Sequence, residues 1–232
     1  MIDIAPELLA KLQRAFSEKL TKNKKIDKIL STIREGNPTY SEVNDLSIEV
    51  GDILAEVFGE NLTQDLLPDG RMYYNIAKRT IEPMMINNYD IVTDNATIVQ
   101  EILNKNAGMG IKAQVPALNK SRIDGIIDRL DEAEFFDDIK WILDEPIKNF
   151  TQAIVDDAIV KNAEFHEGLG LKPTVTRIVK GDCCDWCRQV AGEYQYPDVP
   201  KDVYRRHRYC RCTVEYDPGE SKKQNVWTKQ WR

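Results

Sequence analysis

Residues 181–212 read GDCCDWCRQVAGEYQYPDVPKDVYRRHRYCRC, and this window holds all five cysteines of the 232-residue chain, Cys183 to Cys212. His207, one of only two histidines, stands between them. Cys184-Asp-Trp-Cys187 forms one Cys-x2-Cys knuckle, and His207-Arg-Tyr-Cys210-Arg-Cys212 forms a second cluster after a gap of 19 residues. Zinc takes four soft or borderline ligands in a tetrahedron, and two turns contributing two ligands each supply them without a large core. The pattern therefore predicts a zinc-ribbon-like staple. With Cys183 counted, six donors compete for four places; Cys184 and Cys187 are expected to ligate, with two of His207, Cys210 and Cys212. A disulfide pair or reduced thiols filling a core are the rival explanations.

Outward from this window the chain changes character. Toward the C-terminal side of residue 171, TVTRIVKG (174–181), GEYQY (192–196) and CTVEY (212–216) mix β-branched or aromatic residues with polar ones, as short strands do. A strand beginning at residue 210 would point Cys210 and Cys212 to one side. Toward the N-terminal side the texture is helical. Pro6 opens a first helix with Leu9, Leu12, Phe16 and Leu20 on its stripe. Thr39-Tyr-Ser-Glu42 is a capping box, and Val43, Leu46, Val50, Ile53 and Val57 recur behind it. Further helices are expected over 69–82, 85–105, 120–130 and 132–144. Pro146 opens a last one, with Ile147, Phe150, Ile154 and Ala158 on one face, which Gly168 and Gly170 stop.

The expected fold class is thus α+β: a mostly α-helical body followed by a small β-containing, zinc-ribbon-like C-terminal module. The expected divisions are an N-terminal helical region (1–112), a helical lead-in (113–171), a zinc-stapled β module (172–216) and a C-terminal tail (217–232). Charge divides the same way. Residues 1–171 carry 19 Lys and Arg against 30 Asp and Glu, whereas residues 172–232 carry 13 against 8. Trp227 and Trp231, spaced i, i+4 in the tail, suit docking on a partner or packing back on their own chain.

Several function classes find no support in the residues. No run of 18 apolar residues marks a membrane span, and MIDIAPELLAKLQRAF lacks the apolar core of a signal peptide. A thioredoxin-like site needs no second cysteine cluster, and a zinc deaminase needs His-x-Glu and Pro-Cys-x-x-Cys elements that are missing. Neighbouring acids such as Asp137-Asp138 and Asp156-Asp157 diverge by about 100° on a helix and do not converge on one atom. His166, beside Gly168 at a helix end, reads as a surface or capping residue. Arg205, Arg206, Arg208 and Arg211, interleaved with Tyr204 and Tyr209, are candidates for gripping nucleic-acid phosphates. The same cations equally balance a thiolate-rich metal site, and the net charge of −6 opposes long-range attraction to DNA.

The run CCDWCRQVAGEYQYPDVPKDVYRRHRYCRCTVEYDPG, followed by KKQNVWTK and preceded by the helical stretch RIDGIIDRLDEAEFFDDIKWILDEPIKNFTQAIVDDAIVKNAEFHEGLGLKPTVTRI, resembles the head-morphogenesis family: minor head proteins of tailed bacteriophages and prophages. The resemblance covers roughly residues 113–232. It implies a helical portion ending in a Cys-x2-Cys and His-x2-Cys-x-Cys module, with Cys184, Cys187, His207, Cys210 and Cys212 as the motif positions and Cys183 outside it. It further implies a non-enzymatic minor capsid component of the virion head, assembled in the host cytoplasm. Its partners would be the portal or major capsid protein, with contact to packaged DNA and a role in packaging or delivery. A rival reading is a zinc-dependent hydrolase or nuclease with His207 or His166 as base; another is an effector injected into the host.

Overall fold

A computed structural model of the chain describes residues 3–181 and 183–219. Trp227, Trp231 and the KKQNVWTK stretch lie outside the described residues. Seven helices precede the sheet: α1 (Ala5–Lys22), α2 (Lys24–Glu35), α3 (Tyr40–Asn61), α4 (Tyr74–Asn106), α5 (Lys120–Glu132), the single-turn α6 (Phe136–Ile139) and α7 (Glu145–Gly168). Strands β1 (Thr174–Ile178), β2 (Gly192–Gln195) and β3 (Thr213–Asp217) follow, with a short helix α8 (Asp185–Gln189) between the first two. The fold is α+β, and no described helix is long and apolar enough to cross a membrane.

Helices α2, α3 and α5 begin where a side chain satisfies free amides of the first turn. Thr39 and Glu42 form the expected capping box: Ser41 N–H donates to Thr39 Oγ1 (3.1 Å) and Thr39 N–H donates to the Glu42 carboxylate (2.7 Å). The stripe behind it, Val43, Leu46, Val50, Ile53 and Val57, is buried along its whole length. On α7 the face bearing Ile147, Phe150, Ile154 and Ala158 packs toward the same core. On α1 the buried face is Leu8, Leu12 and Phe16, while Leu9 and Leu20 are partly buried beside it. Helix α2 was not expected; Asn23 caps it by accepting from Lys25 and Ile26 N–H, and Ile26 and Ile33 pin it down.

Two expected breaks fall differently. Helices over 69–82 and 85–105 are one 33-residue helix, α4, with Pro83 inside it. Proline deletes the bond its own N–H would give to the carbonyl four residues earlier. Burial of Ile81, Met84 and Met85 on either side holds the helix together across that gap. The expected helix over 132–144 is instead α6 followed by a 3-10 turn at Lys140–Leu143. Here Phe136, Ile142 and Leu143 are buried while Phe135 and Trp141 are exposed, a spacing that no single helical stripe satisfies.

The sheet is antiparallel with order β2-β1-β3, and Val175 pairs with Tyr194 on one side and Tyr216 on the other. β3 packs on α3. Val175, Val203, Val214 and Tyr216 belong to the same hydrophobic cluster as the helical residues, so the core runs without interruption past residue 171.

His166 is the clearest departure from expectation. It is fully buried, with Nδ1 2.5 Å from the Tyr216 hydroxyl and the two rings stacked, because β3 lies over the last turns of α7. Its Nε2 has no hydrogen-bond partner among the described residues. Burial lowers the His166 pKa below its usual value. A depressed folded-state pKa means that protonation opposes folding. The stabilising contribution is therefore complete above about pH 6.5, the unfolded-state pKa, and is lost as pH falls through the lower folded value. His166→Gln should show a shallower loss of stability than the native chain between neutral and mildly acid pH, measured by urea unfolding at each pH.

Candidate metal centre

Cys184 caps α8, and its sulfur accepts from the N–H of Cys187 at 3.5 Å. An N-cap and the third residue of the turn that follows lie on one side of the helix start, which is how Cys-x2-Cys converges two sulfurs. The second cluster is made by a different device. Cys210 N–H donates to the His207 carbonyl at 3.1 Å, and Tyr209 takes a left-handed conformation (φ 64°) to close the turn. Cys210 and Cys212 precede β3, which starts only at Thr213, yet both are buried on the same side.

The two clusters meet. His207 Nε2 lies 3.2 Å from Cys184 Sγ and 3.0 Å from Cys187 Sγ, and Cys187 Sγ lies 3.9 Å from Cys210 Sγ. Two triads result, Cys184-Cys187-His207 and Cys187-Cys210-Cys212, each with its donor atoms within 4.8 Å of one another. Cys187 belongs to both. All five cysteines are free thiols, Cys183 among them, and Cys183 stands outside both triads. Imidazole Nδ1 sits 2.7 Å from the Arg208 carbonyl, which can only accept, so Nδ1 carries the proton and Nε2 offers its lone pair to the sulfurs. Soft and borderline donors crowded at these separations, with the histidine in the ligating tautomer, can hold a metal ion.

Buried cations compensate the sulfurs. Arg177 is 1% exposed, and its guanidinium approaches Cys210 Sγ at 3.3 Å and Cys187 Sγ at 3.8 Å while donating to the Val203 carbonyl and facing the Trp186 ring. Hydrogen bonding from Cys212, joined by the charges of Arg206 and Arg177, holds the Cys210 thiol well below the ordinary thiol range. The same contact with Cys210, together with burial, pushes Cys212 up, and burial raises Cys187. A metal ion binds such sulfurs as thiolates, so a cation entering the cluster would displace their protons.

The four candidate arginines divide. Arg206 is turned inward: its side chain is 2% exposed, makes a two-pronged ion pair with Asp156 (2.6 and 2.7 Å), and reaches the Asn44 amide oxygen (3.0 Å) and the Cys212 carbonyl. It is not available to a phosphate in this fold. Arg211 pairs with buried Glu145 at 3.2 Å, and the other Glu145 oxygen accepts from Tyr209 N–H at 3.0 Å. Arg205 and Arg208 face outward, Arg205 paired with Asp202 and Arg208 lying over the Tyr209 ring.

Sequence reasoning passed over Arg177, Asn44 and Gln152, and set the acids of α7 aside, Asp156 among them, as diverging carboxylates on a helix. For Arg177 a signal existed: in TVTRI it shares the inward phase with Val175, where a cation needs a reason to be. The acids on α7 carry no such mark, since only the position of the docked module separates them from a solvated face. Comparison with protein-family models, curated proteins and solved structures found no match.

Because Cys187 is common to both triads, Cys187→Ser should abolish metal uptake, whereas Cys183→Ser should leave it intact. Elemental analysis of the reduced, desalted proteins gives the metal-to-chain ratio that checks this.

Proposed function

We propose that the chain is a structural component of a bacteriophage or prophage head, a minor capsid protein bound at the portal vertex. In this reading its Cys/His centre holds zinc in a structural role. The observation that carries the reading is how the metal cluster is built into the protein: Cys187, Cys210 and Cys212 are buried, and the residues around them are fastened to α7 rather than arranged about a cleft. A site surrounded this way suits holding two turns together better than exchanging substrate. An open cleft of about 690 Å³ between α3 and the α6 region is lined by no cysteine or histidine. Of the two histidines, His166 is buried against Tyr216. The likeness of residues 113–232 to minor head proteins supports the same conclusion.

Zinc fits the proposal for a physical reason. A particle assembled in reducing cytoplasm needs a cross-link that does not depend on oxidation, and thiolate and imidazole donors favour zinc over harder cations. The acidic helical surface would face neighbouring portal or capsid subunits. Arg205 and Arg208, the outward-facing arginines, would contact packaged DNA.

Co-expression with the portal protein from the same genome tests the reading. The chain should co-purify with portal assemblies, and heads assembled without it should change in composition and lose infectivity. Particles unchanged in both respects would overturn the proposal.

A further inference from the structure

Cys187 is where the two triads meet, and among the described residues His207, Cys210 and Cys212 form no such group without it. Loss of this one sulfur therefore takes both triads from a metal ion. Cys187 is only 1% exposed. Its neighbour Cys184, three residues earlier, is exposed, and the two sulfurs lie within 4.8 Å of each other. An oxidant that meets only the outer sulfur can thus reach the inner one chemically, because a Cys-x2-Cys pair closes to a disulfide.

We propose that the centre is a redox switch, in which hydrogen peroxide joins Cys184 and Cys187 as a disulfide and so expels the metal ion. The inference rests on the reading of the Cys/His centre as a metal site. The Cys184 thiolate attacks one peroxide oxygen; a sulfur–oxygen bond forms, the oxygen–oxygen bond breaks and hydroxide leaves. The Cys187 sulfur then attacks the Cys184 sulfur, forming the disulfide and displacing a second hydroxide. The two thiolates give two electrons to the peroxide, and two protons from solvent turn both hydroxides into water. The metal ion keeps its charge and leaves as the cation, since a neutral disulfide no longer supplies thiolate ligands. A dithiol reductant returns both sulfurs to the thiolate state.

What the ion releases is local. Cys187 is the buried side chain of α8, and it belongs to a small cluster with Cys210 and Cys212, apart from the main core. Trp186 packs on that cluster and stands edge-on to the His207 ring, while Arg188 pairs with Asp185 inside the helix itself. The second cluster is held by other means: Arg206 by Asp156, Tyr209 N–H by Glu145 and Tyr216 by His166. None of these contacts uses a sulfur. Metal loss thus frees residues 183–189 and leaves β3 and the turn before it docked on α7.

Peroxide titration of the reduced, zinc-loaded full chain tests this. A colorimetric indicator reads zinc release, peptide mass spectrometry locates the disulfide, and hydrogen exchange follows each segment. About one equivalent of peroxide should release the bound zinc and join Cys184 to Cys187. Exchange should rise in residues 183–189 while the amides of α7 and β3 keep their protection, and dithiothreitol should restore zinc binding. Cys183→Ser should respond as the native chain does, because Cys183 stands outside both triads. A reduced chain that takes up no zinc would overturn the metal reading and the switch with it. Zinc retained under peroxide, a disulfide joining other cysteines, a response lost in Cys183→Ser, or loss of protection throughout α7 and β3 would overturn the switch and leave the metal site standing.

Discussion

Asp156 and Arg206 meet inside the protein with both side chains 2% exposed, at 2.6 Å. Removing two charges from water costs several kcal/mol per ion, and the pair persists only where geometry and further hydrogen bonds compensate. Here they do: the guanidinium also reaches Gln152, Asn44 and the Cys212 carbonyl, so one side chain ties α7, α3 and the cysteine loop together. Arg206 precedes His207 in the chain, and Cys212 is itself a candidate ligand. The ion pair that docks the C-terminal module therefore also sets where the second cluster stands relative to Cys184 and Cys187.

Helix α7 is the spine of this arrangement. Glu145 near its start holds the Tyr209–Arg211 turn, Asp156 at its middle holds Arg206, and His166 near its end holds Tyr216 on β3. Three polar contacts spread over about 30 Å of helix leave the module one way to sit. Each is matched by shared apolar packing, since Val203, Val214 and Tyr216 lie in the helical core. The sulfur cluster is thus closed on one side by Arg177 and on another by the body it is fastened to.

Much of this was legible from residue order because local signals and burial agreed. The capping box at Thr39, the α3 stripe and the Cys-x2-Cys turn each rest on interactions within a few residues. What stayed hidden depends on contacts between distant segments. Pro83 reads as a stop, yet the buried residues around it carry α4 through. His166 reads as a helix-end surface residue until β3 covers it. Arg206 reads like its three neighbouring arginines, and only Asp156, 50 positions earlier, distinguishes it. The charge shift near residue 171 marks a change of secondary structure, whereas the core continues across it.

The most direct test of this account is the stability of Arg206→Met, followed by denaturant unfolding of the helical signal and by reactivity of the cysteines toward a thiol reagent. Leaving Asp156 buried without its partner should cost about 3–5 kcal/mol and expose the cysteine cluster to reagent. Adding Asp156→Leu should recover most of the loss. Native stability in Arg206→Met, with the cysteines as protected as before, would contradict the claim that this ion pair holds the module to the body.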